Sequence, residues 1–164
     1  GMEEILSAVS GYQIRLVEIT GGEPLLQPET PILVKRLIDA GFEVMMETNG
    51  TLPIDRVLSE CIKIVDVKCP ASGESRKTDF GNLSRLTGAD QVKFVLCDRR
   101  DYEYAKQVIQ RYGLDRPACP VLLSPAAGRL KPDRLAAWIL EDRLDVRLHL
   151  QLHKIIWPHA ERGV

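Results

Sequence analysis

Two glycines and a glutamate stand together in the segment TGGEPLLQ, at residues 20–27. The short, mainly apolar run VEI precedes this segment and is typical of a buried strand. Paired glycines at a strand end let the backbone bend sharply and approach a ligand that a Cβ atom would exclude. Glu23, followed by Pro24 with its fixed φ, is expected to present a carboxylate at the sheet edge. An ordinary strand–helix turn is the alternative interpretation of Gly-Gly alone.

The elements that must position this segment alternate between strands and helices. Apolar runs bounded by turn residues predict six strands, at residues 14–19, 42–47, 62–67, 91–96, 120–124 and 146–152. Helical periodicity with proline starts and glycine ends predicts helices at residues 3–10, 28–40, 54–60, 101–112 and 132–141. This alternation predicts an α/β fold with a parallel sheet and right-handed crossovers. The pattern fits two architectures, a doubly wound sheet or a barrel that lacks some of its eight units.

Polar residues follow the predicted strands at the point where each strand ends. They are Thr20–Glu23, ETNG at residues 47–50, DVK at 66–68, CD at 97–98 and SP at 124–125. The carboxyl ends of parallel strands share one rim of the sheet, and α/β proteins bind ligands there. We therefore expect these residues to meet at one ligand-binding rim.

Length, composition and net charge bear on the number of domains and the classes of binding partner. The chain has 164 residues, 45% hydrophobic and 27% charged, which fits a single globular domain over residues 1–164. A net charge of −1 gives no electrostatic case for nucleic-acid or membrane binding, and no apolar run is long enough to span a bilayer. We therefore expect a cytoplasmic protein. Gly1 before Met2 is interpreted as a residue left from cloning.

The four cysteines are too far apart for a local metal site. They are Cys61, Cys69, Cys97 and Cys119, and the closest two are eight positions apart. Zinc and iron–sulfur sites use cysteines with much closer spacing. His149 and His153 fall in the last predicted strand and would share one face, but no cysteine or carboxylate nearby completes a metal set. Free thiols and histidines without a metal are the expectation.

Several motifs together resemble one enzyme family. TGGEPLLQ after the first strand, ETNG after the second, PASG at residues 70–73 and LQLHKIIWP near the end are similar to the 7-carboxy-7-deazaguanine synthase family of radical S-adenosylmethionine enzymes. The resemblance implies a (β/α) partial barrel of about six strands. It implies conversion of 6-carboxytetrahydropterin to the 7-deazapurine product of the queuosine pathway, with loss of ammonia. It further implies S-adenosylmethionine, a [4Fe–4S] cluster, Mg²⁺, a flavodoxin- or ferredoxin-type reducing partner and a homodimer.

The resemblance also implies roles for individual residues. For S-adenosylmethionine these are Gly21, Gly22, Glu23, Gly50, Asp66, Val67, Lys68, Ser124 and Pro125. Glu47 is implied to support the same region. For the pterin substrate they are Thr48, His153 and the terminal carboxylate of Val164. Each of these residues also has a purely structural interpretation. Residues 48–50 could simply form a turn, Lys68 could be a solvated surface lysine and Ser124 could cap a turn.

One departure from the family pattern limits what the chain is expected to do. The family carries a CxxxCxxC cluster loop upstream of GGEP, whereas the first cysteine of this chain is Cys61. We expect the N-terminal strand, the cluster loop and a magnesium ligand to be missing, and the polypeptide as given to be inactive with an exposed sheet edge. A start codon assigned too late, deliberate shortening and a naturally shortened gene are the three explanations. A glycyl-radical activating enzyme and a cluster-free interaction domain are the alternative functions.

Overall fold

The structure, a computed structural model, describes residues 1–114, 119–157 and 159. Within these ranges six strands follow one another along the chain, β1 (Leu16–Ile19), β2 (Glu43–Thr48), β3 (Ile62–Asp66), β4 (Gln91–Leu96), β5 (Val121–Pro125) and β6 (Arg147–Leu148). The helices are α1 (Met2–Gly11), α2 (Thr30–Asp39), α3 (Asn82–Arg85), α4 (Arg99–Tyr112), α5 (Pro132–Glu141) and α6 (Leu152–Ile156). Short 3₁₀ turns lie at Pro24–Leu26, Ile54–Arg56, Pro70–Ser72 and Ser75–Lys77.

All strands are parallel and lie in chain order, from β1 to β6. A doubly wound sheet reverses its strand order at a switch point, whereas a (β/α) barrel adds each strand beside the previous one. The sequential strand order therefore favours the barrel over the doubly wound sheet, the two architectures that fit the sequence. Within the described residues β1 and β6 do not pair with each other, so the sheet stays open. The predicted partial barrel of six parallel strands is confirmed.

The two faces of the sheet differ in polarity because side chains alternate along each strand. On the outer face, the side chains of Val44, Met46, Val92 and Phe94 are fully buried in the hydrophobic core. On β2 and β4 the alternate positions Glu47, Gln91 and Lys93 turn to the inner face together with the apolar Met45, and all four line a cavity there. The sheet thus packs one face in the core and leaves a face of mixed polarity beside a cavity.

The β1 side of the sheet is thinly covered. No residue of α1 is buried, and an ion pair of 2.6 Å joins Glu3 on this helix to Arg36 on α2. Ile14 and Leu16, beside and within β1, are 60% and 50% exposed. Within the described ranges no strand pairs with the outer edge of β1, and this edge lies beside these apolar side chains.

Two predicted elements are wrong in detail. The helix predicted at residues 54–60 is a single 3₁₀ turn, because Val57 has extended backbone angles. The strand predicted at residues 146–152 ends at Leu148, because this edge strand pairs only with β5, and the chain then turns into α6. His149 and His153 therefore do not share a strand face. None of the described helices is long and apolar enough to cross a membrane.

Candidate functional site

The carboxyl ends of the first three strands surround a small cavity of about 170 Å³ at the rim of the sheet. Three residues after β1, three at the end of β2 and two at the end of β3 line it, namely Thr20, Gly21, Gly22, Glu47, Thr48, Asn49, Asp66 and Lys68. Segments that are far apart in sequence meet here, as the parallel sheet requires. We call this cavity the rim pocket.

The two glycines form an open wall of the rim pocket. Gly21 and Gly22 have φ angles of +94° and +55°, which side-chain-bearing residues rarely adopt. A Cβ atom added at either position would meet nothing within 4 Å. The glycines are therefore needed for the backbone path, and their peptide groups stay accessible to a ligand.

Glu23 differs from the expectation of a free carboxylate at the edge. Its side chain is buried, with 7% exposure. One carboxylate oxygen accepts hydrogen bonds from the Leu25 amide at 3.2 Å and the Thr48 hydroxyl at 2.7 Å, and the other accepts from the Asn49 amide at 2.7 Å. Glu23 thus braces the loop after β1 against the loop after β2. A role in holding the cofactor stays a prediction.

Thr48 and Gly50 are also committed to the protein itself. The Thr48 hydroxyl donates to Glu23 and accepts from the Gly50 amide at 3.2 Å. Gly50 has a φ of +68°, and a Cβ atom there would lie 3.0 Å from Cγ1 of Val65. Its carbonyl oxygen accepts from the Asn82 side chain at 3.1 Å. Close packing therefore requires this glycine, while the ligand roles of Thr48 and Gly50 stay predictions.

Two buried oxygens near the strand ends have no hydrogen-bond partner within the described residues. The first is Oδ1 of Asp66, whose other carboxylate oxygen lies 2.6 Å from Nζ of Lys68. The second is the hydroxyl of Ser124, which is fully buried on β5 next to Pro125. Val67 is fully buried and its amide donates to the carbonyl of Lys93 at 2.8 Å. Buried polar atoms are nearly always paired, so the two free oxygens favour a missing ligand or water.

A larger cavity of about 550 Å³ lies on the inner face of the sheet, and we call it the inner cavity. Glu47 lines both this cavity and the rim pocket. Nζ of Lys93, on β4, lies 2.7 Å from Oε1 of Glu47, and the Lys93 side chain is only 13% exposed. Glu18 and His149 line the same cavity. Partial burial lowers the pKa of His149, the charge of Lys93 lowers it further, and the two glutamates act in the opposite direction.

Lys93 and Thr20 have no ligand role predicted from the sequence, and Glu47 has only a supporting one. The alternation in QVKFVL does place Lys93 on the face opposite Val92 and Phe94, so a signal was present. Of the predicted substrate residues, His153 lies in α6 and lines the inner cavity. Val164 lies outside the described residues.

The described residues do not fit an iron–sulfur cluster. No three His, Cys, Asp or Glu side chains within the described ranges are placed to share a metal. Burial raises the pKa of Cys61 and of Cys119 to about 11. Burial also raises the pKa of Cys69, despite the neighbouring Lys68. Burial thus makes all three thiols harder to ionise here than a free cysteine.

Comparison with known proteins identifies the family. No protein-family model matches the chain. A protein of Koribacter versatilis, named 7-carboxy-7-deazaguanine synthase, is 45% identical over 162 residues, which cover 91% of this chain and 72% of that protein. A protein of Chlorobaculum tepidum with the same name is 39% identical over 166 residues, which cover 99% of this chain and 75% of that protein.

Solved structures agree on the fold. The crystal structure of Streptococcus suis SuiB bound to S-adenosylmethionine matches with a TM-score of 0.57 and 11% sequence identity. The match covers 90% of this chain but only 42% of that chain, and at this identity it bears on the fold alone. The two synthases, each at least 39% identical over more than nine-tenths of this chain, carry the assignment. The chain belongs to the 7-carboxy-7-deazaguanine synthase family.

Proposed function

We propose that this chain forms the cofactor- and substrate-binding part of a 7-carboxy-7-deazaguanine synthase. The complete site would convert 6-carboxytetrahydropterin to 7-carboxy-7-deazaguanine by radical ring contraction with loss of ammonia, a carbon–nitrogen lyase reaction. Family membership supports the choice of reaction. The observation that carries the binding site is the buried, unpartnered oxygen of Asp66 beside the rim pocket.

S-adenosylmethionine would bind in the rim pocket. Carbonyl groups around Gly21 and Gly22 are acceptors for the methionine ammonium, and Lys68 is a cation for its carboxylate. The free oxygen of Asp66 is an acceptor for a ribose hydroxyl. Ser124, fully buried with an unpartnered hydroxyl, would lie near the adenine together with Pro125. The groups assigned to Gly21, Gly22, Asp66 and Lys68 line the rim pocket, whereas Ser124 and Pro125 lie outside it on β5.

The pterin would bind in the inner cavity, next to the cofactor. Glu47 belongs to both cavities, so a ligand that contacts it lies beside the rim pocket. The pyrimidine ring of a pterin carries adjacent N–H donors, and a carboxylate accepts such a pair well. His153 would contact the substrate from α6, together with Thr48 and the carboxyl group of Val164.

The polypeptide as given would not catalyse the reaction. The family reaction uses Mg²⁺ and a [4Fe–4S] cluster, and the described residues do not fit the cluster. Incubation with iron and sulfide under reducing conditions should therefore give no cluster absorbance and no product from the pterin. The complete enzyme would be a cytoplasmic homodimer reduced by a flavodoxin- or ferredoxin-type protein. The relatives are named as synthases of a small molecule, which does not favour a glycyl-radical activating enzyme or a cluster-free interaction domain.

Calorimetric titration of the chain with S-adenosylmethionine tests the binding proposal. Asp66→Asn should weaken binding by about 10- to 100-fold, because a hydrogen bond to a charged group contributes about 1.5–3 kcal/mol. Asp39→Asn is the matched control, because Asp39 also lies 2.6 Å from a lysine but at an exposed position of α2. Equal affinity in both variants, or no binding by the unchanged chain, would contradict the proposed site.

A further inference from the structure

The Glu47–Lys93 ion pair reaches across the inner face of the sheet. Glu47 is on β2 and Lys93 on β4, so the contact passes over the intervening strand β3. The residue of β3 in register with Lys93 is Asp66, but Asp66 is already paired with Lys68 at 2.6 Å. Lys93 is therefore free to cross β3 and meet Glu47.

The surroundings favour this contact over solvation of the lysine. The Lys93 side chain is 13% exposed and that of Glu47 is 27% exposed. A largely desolvated ammonium is costly unless a carboxylate compensates it. The other carboxylate in the inner cavity, that of Glu18, lies on the exposed strand β1. Lys93 thus has a structural reason to hold Glu47 in one rotamer.

The pairing leaves part of the Glu47 carboxylate available. Lys93 contacts Oε1, whereas Oε2 makes no hydrogen bond within the described residues. Glu47 lies at the junction of the rim pocket and the inner cavity. An acceptor fixed at this junction has one oxygen tied to the protein and one offered to a ligand.

We propose that Lys93 is a positioning residue, which fixes the Glu47 carboxylate so that its second oxygen accepts hydrogen bonds from the N–H edge of the pterin. This inference rests on the proposed function, because it takes the pterin as the ligand of the inner cavity. Lys93 acts through Glu47 and does not itself contact the ligand. Its effect on binding must therefore disappear when Glu47 can no longer serve as the carboxylate acceptor.

His149 provides a readout that needs no ligand. It lines the same cavity, together with Glu18, Glu47, Arg147 and His153. The positive charge of Lys93 contributes to the lowered pKa of His149. In Lys93→Met this contribution is lost and the two glutamates are no longer offset, so the pKa of His149 must rise. NMR titration of the histidine ring protons measures it, with His149→Gln to assign the signal.

The binding test is a double-mutant cycle, with 6-carboxytetrahydropterin titrated anaerobically into the full chain. Lys93→Met should weaken binding about tenfold or more, since the ordered charged acceptor is lost. Lys93→Arg should restore most of the affinity, because arginine also pairs with a carboxylate. In the Glu47→Gln background, Lys93→Met should change the affinity by less than about twofold. Lys35→Met, at an exposed position of α2, is the control and should bind like the unchanged chain.

The outcomes separate this inference from the function on which it rests. Failure of the unchanged chain to bind the pterin overturns the proposed function and this inference with it. Normal binding by the unchanged chain and by Lys93→Met overturns the positioning role alone. If Lys93→Met weakens pterin binding equally with Glu47 and in the Glu47→Gln background, the positioning role is also overturned, because Lys93 would then act directly on the ligand. An unchanged pKa of His149 in Lys93→Met contradicts the placement of the charge.

Discussion

Replacing Glu23 tests whether the GGEP segment is braced by its own carboxylate. In the structure this buried side chain accepts three hydrogen bonds, from Leu25, Thr48 and Asn49. In Glu23→Ala the Thr48 hydroxyl can rotate to another acceptor, whereas the two backbone amides are fixed. Each buried donor left without an acceptor costs about 1–3 kcal/mol. We therefore expect Glu23→Ala to lower the free energy of unfolding by about 2–6 kcal/mol.

Glu23→Gln should lower the free energy of unfolding by an intermediate amount. The carboxamide keeps one oxygen as an acceptor but turns an NH₂ group toward donors of the loops. A loss of about 1–2 kcal/mol follows, smaller than that of the alanine variant. Urea unfolding followed by circular dichroism measures both values. In a chain of this size each kcal/mol should also lower Tm by about 2–4 °C.

Glu29→Ala is the matched control for these two variants. Glu29 lies six residues further along, is exposed and makes no side-chain capping bond at the start of α2. Its replacement should change the free energy of unfolding by less than about 0.5 kcal/mol. If Glu23→Ala were as mild as Glu29→Ala, the brace would contribute no net stability and the reasoning would be wrong.

Three other predictions concern buried groups near the site and in the core. Gly50→Ala should lower the free energy of unfolding by about 1–3 kcal/mol, because the added Cβ atom combines a positive φ with a clash against Val65. Gly73→Ala has a similar φ but open space around it, so it should lower this free energy less in the same urea experiment. Asp90→Asn should lower the free energy of unfolding, measured in urea, by about 3–5 kcal/mol, because it leaves the buried ammonium of Lys63 without its carboxylate. A decrease of less than about 1 kcal/mol would refute this explanation. Cys69, whose pKa is raised by burial, should resist iodoacetamide at pH 8 in the native protein and react after unfolding, as mass spectrometry can show; rapid native labelling would contradict this.

Much of the fold could be predicted from local patterns. Strand β4 (Gln91–Leu96) and helix α5 (Pro132–Glu141) have the predicted bounds, because clear periodicity and a proline start specify them locally. The end of the chain could not be predicted this way. Its alternating residues fit a longer strand, but the pairing with β5 ends after Leu148, apart from one bond from the His149 amide to Leu123. Hydrogen bonding to a distant neighbour decided the boundary.

The sequence by itself determined the family and the set of strand ends that meet at the rim, because TGGEPLLQ and ETNG are local signals and parallel strands place their carboxyl ends on one edge. The tertiary structure alone decided the tasks of the side chains there. Glu23 turns inward because the Thr48 and Asn49 donors lie within reach, which no spacing in the chain reveals. Lys93 meets Glu47 because β3 separates their strands by a distance that a lysine side chain can span. Such pairings depend on register between distant segments, and register exists only in the folded sheet.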